Sequence, residues 1–305
     1  MQAQMKNILI ADAGSTKTDW AFICPDEGIV RFKTPGLNAL LATDEELAEA
    51  FRQVNACLPG SLSRLASSPF PSISTIDIPE PTHIDEIYYY GAGCATESVC
   101  RKTRKALSEA FDAVSVFVAS DLLGAARSLL GNDCGIACIL GTGSNSCLYD
   151  GRDIVRNVPA LGFILGDEGS GASLGKRLVG NIYKGLWPDR LKQDFLTEYR
   201  FDVAEILNNV YRSPNPNRFL ASLVPFLSSH RDSPHVYEMV RKEFLDFLTR
   251  NILQYPEARN IPICFTGSVA TVFEDILKEA ASEAHLIIGR VSASPMESLI
   301  VFHSN

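Results

Sequence analysis

The sequence contains no apolar run approaching the ~20 residues that a membrane-spanning helix needs, and no long run of lysine or arginine. With a formal net charge of −8, the second absence argues against nucleic acid or an anionic membrane surface as the main partner. The start, MQAQMKNILIADAG, offers too short an apolar stretch for a secretory signal before what reads as a first strand, so a cytoplasmic location is expected. Cysteine is present but unpatterned. The eight residues at 24, 57, 94, 100, 134, 138, 147 and 264 include no C-x-x-C pair, which removes a zinc finger and a disulfide framework and leaves reduced, mostly buried thiols. The five histidines at 83, 230, 235, 285 and 303 show no ligand spacing, and none is assigned a role. No glycine cluster completes G-x-G-x-x-G in a strand-turn-helix setting, so a dinucleotide fingerprint is absent too.

What is there suffices for two ordinary domains, with 305 residues and 46% apolar content. The stretch ILIADAGSTKTDWAFI, residues 8–23, looks made to hold phosphate, yet it is not a Walker loop, because Thr16 and not glycine precedes Lys17. The β-branched and aromatic residues after the turn predict a return strand. Gly14, Ser15, Thr16 and Lys17 therefore read as a phosphate site borne on a hairpin, with strands near 8–12, 18–24 and 28–33. A helix from Asp44 follows, its start marked by the capping box Thr43/Glu46. The Pro/Ser-rich segment 59–81 reads as a surface excursion. Strands at EIYYYGAG and VSVFVA alternate with helices at 97–111 and LLGAARSLL, the pattern of a mainly parallel sheet covered on both faces.

The opening pattern then returns in GIACILGTGSNSCLYDG. Laying Gly14-Ser15 on Gly143-Ser144 brings ILIADAG over ACILGTG, and YYYGAGCAT echoes ICFTGSVAT. Two related halves are expected: residues 1–118 with 294–305, and 119–293 carrying a helical insertion over about 178–258. Ser294, Pro295 and Glu297 mark a last helix over 295–303 that packs back on the first half. Gly141, Thr142, Gly143 and Ser144 form a second phosphate-sized turn, matching Gly14–Lys17.

Three carboxylates accompany these turns. Asp12 at the mouth of a polyphosphate site would repel it unless Mg²⁺ bridged the two; its alternative is an Asx turn. Asp121 stands at the carboxyl end of a strand, where open α/β sheets place ligands, and is either a helix cap or a general base. Asp167 and Glu168 lie among Gly166, Gly169 and Gly171 before a helical pattern, either as favourable acids at a helix start or as ligands to a polar molecule.

Taken in order, DAGSTKTDW, ASDLLGAARSL, LGTGSNS, LGDEGSGASLG and FTGSVA resemble the N-acetylglucosamine kinase and BadF/BadG/BcrA/BcrD-type ATPase branch of the actin, hexokinase and Hsp70 superfamily, over nearly the whole chain. The resemblance implies an α/β fold of two ribonuclease-H-like domains and an ATP- and Mg²⁺-dependent kinase acting on a small-molecule amino sugar; a homodimer is expected only as the common default for such folds. It makes Gly14–Lys17 the first phosphate loop, Thr142 and Gly143 part of the second, Gly267 and Ser268 the adenosine contact, Asp12 the metal ligand and Asp121 the general base. Asn38, Ser144, Asn145, Gly162 and Asp167 would hold sugar hydroxyls. Leu161-Gly162-Phe163 stands where mammalian-type members carry Trp-Gly-His, which leaves acetamido recognition open. Two other functions remain open: an ATP-driven activator of an acyl-CoA dehydratase, with Cys138 where one cluster cysteine would stand, and a non-catalytic sugar-sensing regulator.

Overall fold

The computed structural model describes residues 6–25, 28–58 and 83–304; the expected 59–81 excursion lies outside them. The chain divides into two compact units, Met1–Gly124 with Met296–Asn305, and Ala125–Pro295.

The first unit runs β1 (Ile8–Ala13), β2 (Lys17–Cys24), β3 (Gly28–Pro35), α1 (Asp44–Ala56), β4 (Ile84–Gly91), α2 (Glu97–Ala110), β5 (Ala113–Ser120) and the start of α3 (Asp121–Leu130). Its sheet has the order β3-β2-β1-β4-β5, with β1 antiparallel to β2, β2 antiparallel to β3, and β1, β4 and β5 parallel. The near-continuous apolar run of β1 is explained by burial on both faces. Leu9, Ala11 and Ala13 join Trp20, Phe22, Ile87 and Tyr89 in a core with Leu47 and Phe51 of α1 and Leu107 of α2. The alternate residues, ending in Asp12, point to the other face, where Tyr90 meets Gly124 of α3 and His303. Thr43 and Glu46 form the expected capping box, Glu46 N donating to Thr43 Oγ1 at 3.2 Å and Thr43 N to Glu46 Oε2 at 2.8 Å.

The second unit repeats the plan with β6 (Gly135–Leu140), β7 (Ser144–Tyr149), β8 (Ile154–Val158), β9 and β10. Between β8 and β9 lie α4 (Gly162–Leu165), α5 (Gly171–Tyr183), α6 (Asp189–Tyr199), α7 (Val203–Tyr211), α8 (Pro216–Ala221), α9 (Val224–Ser229) and α10 (Pro234–Arg250). Then follow β9 (Ile263–Thr266), α11 (Ser268–Val272), α12 (Glu274–Glu283) and β10 (Ile288–Ser292), before α13 (Met296–Ser304) rejoins the first unit and packs on β1 and β2. The order β10-β9-β6-β7-β8, with β6 antiparallel to β7 and parallel to β9, is the order of the first sheet again. Two ribonuclease-H-like domains of the actin-like ATPase type, the second with a helical insertion, are what the sequence predicts. The insertion supplies much of its unit's core, with Phe195, Phe226, Val240, Phe244 and Phe247 fully buried.

The repeat lies in the topology and not in the gapless overlay of Gly14 on Gly143. Pairing of Asp12 with Asp19 puts the midpoint of the first hairpin between Ser15 and Thr16, whereas pairing of Leu140 with Ser144 puts the second at Thr142. Apolar strands ending in a Gly-Ser turn slide past each other by two residues without changing which face is apolar, so the short motif fixes the repeat but not its register.

Candidate active site

In the first unit the carboxyl ends of β1, β4 and β5 come together in register, Ala13 beside Gly91 and Gly91 beside Ser120. This brings Asp12, the penultimate residue of β1, near Asp121, the first residue of α3. The cap of α3 comes from Ser120, whose Oγ accepts from Leu123 N at 3.2 Å, while Asp121 Oδ1 accepts from Leu122 N at 2.9 Å. The helix-capping explanation of Asp121 is thereby largely met by its neighbour. Burial pushes the Asp121 carboxyl up to about 6, against the pull of the Leu122 amide. Asp12 is pushed up to about 7, first by burial, then by the like charges of Asp121 and Asp19, with Lys17 acting in the opposite sense. No donor among the described residues hydrogen-bonds Asp12, so the Asx-turn alternative is not what the carboxylate does.

The 14–17 loop is held from outside. Gly36 N donates to Thr16 O at 3.0 Å, and a Cβ on Gly36 would lie 2.4 Å from Thr16 C and 2.5 Å from Gly14 O. Only glycine allows that approach; sequence reading passed over it, although the Pro35-Gly36 pair was the available signal. Lys17 pairs with Asp19 at 2.9 Å, and Lys33 with the same carboxylate at 3.2 Å. Asn38 spends its Oδ1 on an Asx turn, accepting from Leu40 N at 3.1 Å. That geometry leaves the amide N–H groups of Asn38 as the part able to serve a ligand.

In the second unit the Gly141–Gly143 turn is pinned to the start of α5, with Gly171 N donating to Gly141 O at 2.8 Å and Ala172 N to Thr142 O at 3.0 Å. Ser170 caps that helix, accepting from Ser173 N at 3.1 Å, so Asp167 and Glu168 are not its caps. The two acids part company. Asp167, buried and in the left-handed region at φ 56, turns its carboxylate to Ser144 N at 3.4 Å and over Gly143, whose Cβ would lie 3.1 Å from Oδ2. Burial pushes its carboxyl up to about 6. Glu168 instead pairs with Arg250 at 3.0 Å and accepts from Asn251 Nδ2 at 3.3 Å.

Gly267 leaves β9 at φ 120, with a virtual Cβ 2.3 Å from Leu140 O, so the parallel neighbours β6 and β9 end side by side in close contact. Beside them lies a cavity of about 500 Å³ lined by Gly141, Thr142 and Ser268, by the apolar walls Ala221, Val224, Pro225, Val269 and Val272, and by Ser222, Ser228 and Ser229. The size falls in the range of small-molecule sites. The insertion's contribution to this wall carries no motif and was not foreseen. Of the remaining expected residues, Asn145 spends Oδ1 on Ser146 N and Asn157 Nδ2, both at 2.9 Å. Gly162 is exposed at φ 73 with open space around its Cα. Neither is brought to Asp167 by a hydrogen bond among the described residues. Cys138 is fully buried in β6, and burial holds its thiol well above the ordinary value, contrary to what a cluster ligand requires.

The two units, each built on the same mixed five-stranded sheet, define the class of two-domain ribonuclease-H-like proteins of the actin-like ATPase type. No protein-family model matches the chain, and no curated protein does. Among solved structures, a Porphyromonas gingivalis protein described as a "putative N-acetylglucosamine kinase" is 44% identical, covering 98% of this chain and 99% of its own, with a TM-score of 0.86. A Chromobacterium violaceum protein of the same description is 18% identical over 98% of this chain and 99% of its own, with a TM-score of 0.71. An ethanolamine utilization protein of Carboxydothermus hydrogenoformans, 12% identical over 100% of this chain and 90% of its own, shares the fold at a TM-score of 0.52. The chain belongs to the family of the Porphyromonas protein, the N-acetylglucosamine-kinase-type branch expected from its motifs. Among the described residues no helix is long and apolar enough to cross a membrane.

Proposed function

We propose that the chain is a kinase transferring the γ-phosphoryl group of Mg·ATP to a hydroxyl of an amino sugar, most simply O6 of N-acetylglucosamine. The observation that carries this reading is the full-length identity of 44% to the Porphyromonas protein, whose description names that activity. Glucosamine and N-acetylmuramic acid fit the same chemistry.

The residues fit the required groups. Asp12 offers carboxylate oxygens that no donor among the described residues engages, and its carboxyl is raised by burial and by Asp121 and Asp19, a situation a divalent cation would relieve. No cluster of three or more metal-ligating side chains occurs among the described residues, which suits an ion that takes most of its ligands from phosphates and water, as Mg²⁺ does. Gly14–Lys17 and Thr142-Gly143 would present amide and hydroxyl donors to phosphates, and Ser268, which lines the 500 Å³ cavity, would border the nucleoside together with its chain neighbour Gly267. When bound, the metal neutralises charge on the transferring group.

The remaining work falls to the protein. Asp121, ionised at neutral pH with a carboxyl of about 6, accepts the proton of the acceptor hydroxyl. Asp167, also about 6, accepts hydrogen bonds from sugar hydroxyls and orients them. Asn38, Ser144, Asn145 and Gly162 belong to the sugar side of this reading, Asn38 as donor through its amide. The burial of Cys138 supports this over the activator function.

The test is ADP release by the purified protein from Mg·ATP across amino sugars, hexoses and no sugar, with the product mass checked. Stimulation by one sugar, with a phosphorylated product, is expected. ADP release that ignores every sugar, or none at all, would sink the kinase.

A further inference from the structure

The helix α10 reads from its sequence as an apolar stripe, but it buries one carboxylate. Glu243 is 3% exposed among Phe244, Phe247 and Leu248. A charge at such a position is costly unless it is fully partnered, and Glu243 is. Its Oε2 accepts from Ser173 Oγ at 2.6 Å and from Gly169 N at 3.4 Å, and its Oε1 accepts from Arg177 Nε at 2.8 Å. Ser173 and Arg177 lie on α5; Gly169 lies two residues after Asp167.

Gly169 is in the left-handed region at φ 71 and is pressed against α10, its virtual Cβ 3.2 Å from Phe247 Cβ and 3.4 Å from Phe244 Cδ1. The same helix and its C-cap hold the residue between: Arg250 and Asn251 take the Glu168 carboxylate at 3.0 and 3.3 Å. On its other side, the loop is fixed by Asp167 N donating to Ala160 O at 3.1 Å. Asp167 thus sits in an unfavourable backbone conformation with both flanks tied. Its carboxylate meets Ser144 N at the outer limit of a hydrogen bond, so it cannot hold itself.

We propose that Glu243 is a positioning residue for substrate: from the inserted helix it fixes the 167–169 backbone so that the Asp167 carboxylate faces Gly143 and Ser144. It rests on the reading in which Asp167 binds a sugar hydroxyl. The buried carboxylate answers donors from two places at once, Ser173 Oγ and Arg177 Nε on α5 and Gly169 N beside Asp167, and so fixes where the 167–169 backbone lies against both helices.

The variants are Glu243→Gln, which keeps shape and one acceptor oxygen, and Arg177→Ala, which removes only the outer partner. Two measurements are made on each full-length protein. In amide hydrogen exchange, Glu243→Gln is expected to raise exchange at least tenfold at Gly169 and at Ser144, with the β6 and β9 amides unchanged; Arg177→Ala shifts the same amides less. In steady-state kinetics, KM for the sugar rises at least tenfold while KM for ATP stays within threefold. Unchanged exchange at Ser144 overturns the proposal, since Glu243 would then hold helices together without aiming Asp167. Uniformly faster exchange with a proportional loss of kcat and an unaltered sugar KM also overturns it, as a purely structural role. If the wild-type protein phosphorylates no sugar, the functional reading has failed, and the Ser144 exchange result still decides whether Glu243 positions Asp167.

Discussion

Asp121→Asn should make the protein more stable and nearly inactive. The Asp121 carboxyl rises from an ordinary 3.8 to about 6 in the folded chain because burial disfavours its charge. At about 1.4 kcal/mol per pH unit, that gap corresponds to roughly 3 kcal/mol of unfavourable ionisation at neutral pH, and to about half of that once the part reached by water is discounted. The sign follows from proton binding. Between 3.8 and about 6 the folded state holds a proton that the unfolded state has lost, so stability from this group is complete below 3.8 and falls as pH rises to 6. Asparagine removes the charge, keeps an oxygen for the Leu122 amide and leaves the Ser120 cap untouched. It also relieves Asp12 of one like-charged neighbour. Urea unfolding at pH 7 should therefore show the variant more stable by about 1–3 kcal/mol, and the advantage should vanish near pH 4. Phosphoryl transfer should fall by about 10²–10⁴-fold with ATP binding retained. A variant that is less stable at pH 7, or whose advantage is the same at pH 4, would refute the buried-charge argument; wild-type turnover would refute the base.

Three further outcomes are expected. In the wild type, kcat/KM for the sugar should climb with pH through about 6 as Asp121 and Asp167 ionise, then level off; a profile flat from pH 5 to 8 would remove both from the reaction. Asp12→Asn should raise the Mg²⁺ concentration for half-maximal activity by about tenfold, read by metal titration at fixed ATP, because it turns an anionic ligand into a neutral one; an unaltered titration would free Asp12 of the metal. Gly267→Ala should lower stability by about 1–3 kcal/mol in thermal unfolding, since alanine at φ 120 is strained and its Cβ would lie 2.3 Å from Leu140 O; a neutral effect would mean that the β6–β9 junction relaxes.

The sequence was most legible where local rules act alone. The alternation and turn of ILIADAGSTKTDW give β1 and β2, Thr43 and Glu46 give the start of α1, and the strand-then-Asp order of VSVFVAS-D gives the carboxyl end of β5. It was least legible where a residue's partner lies far along the chain. Asp167 and Glu168 are adjacent letters of similar chemistry, and nothing local says that one turns to Ser144 and the other to Arg250, more than eighty positions away. Glu243 sits inside an apolar stripe whose periodicity reports burial but not the three donors waiting there. Gly36 is an ordinary turn glycine until the 14–17 loop is folded against it. The slipped overlay of the two hairpins has the same origin, because strand periodicity is blind to shifts of two.

The left-handed residues of the second unit carry one more consequence. Leu161, Gly162, Asp167 and Gly169 all have positive φ within nine positions, and residues 167–169 are tethered to Ala160 and to α10 and its C-cap. A loop of this kind is set when the chain folds and not when a ligand arrives. Sugar binding at Asp167 should then proceed with little ordering entropy from this loop and with association governed by access to the carboxylate. Selectivity among sugars would be that of a rigid template, which rejects a misplaced hydroxyl instead of bending to meet it.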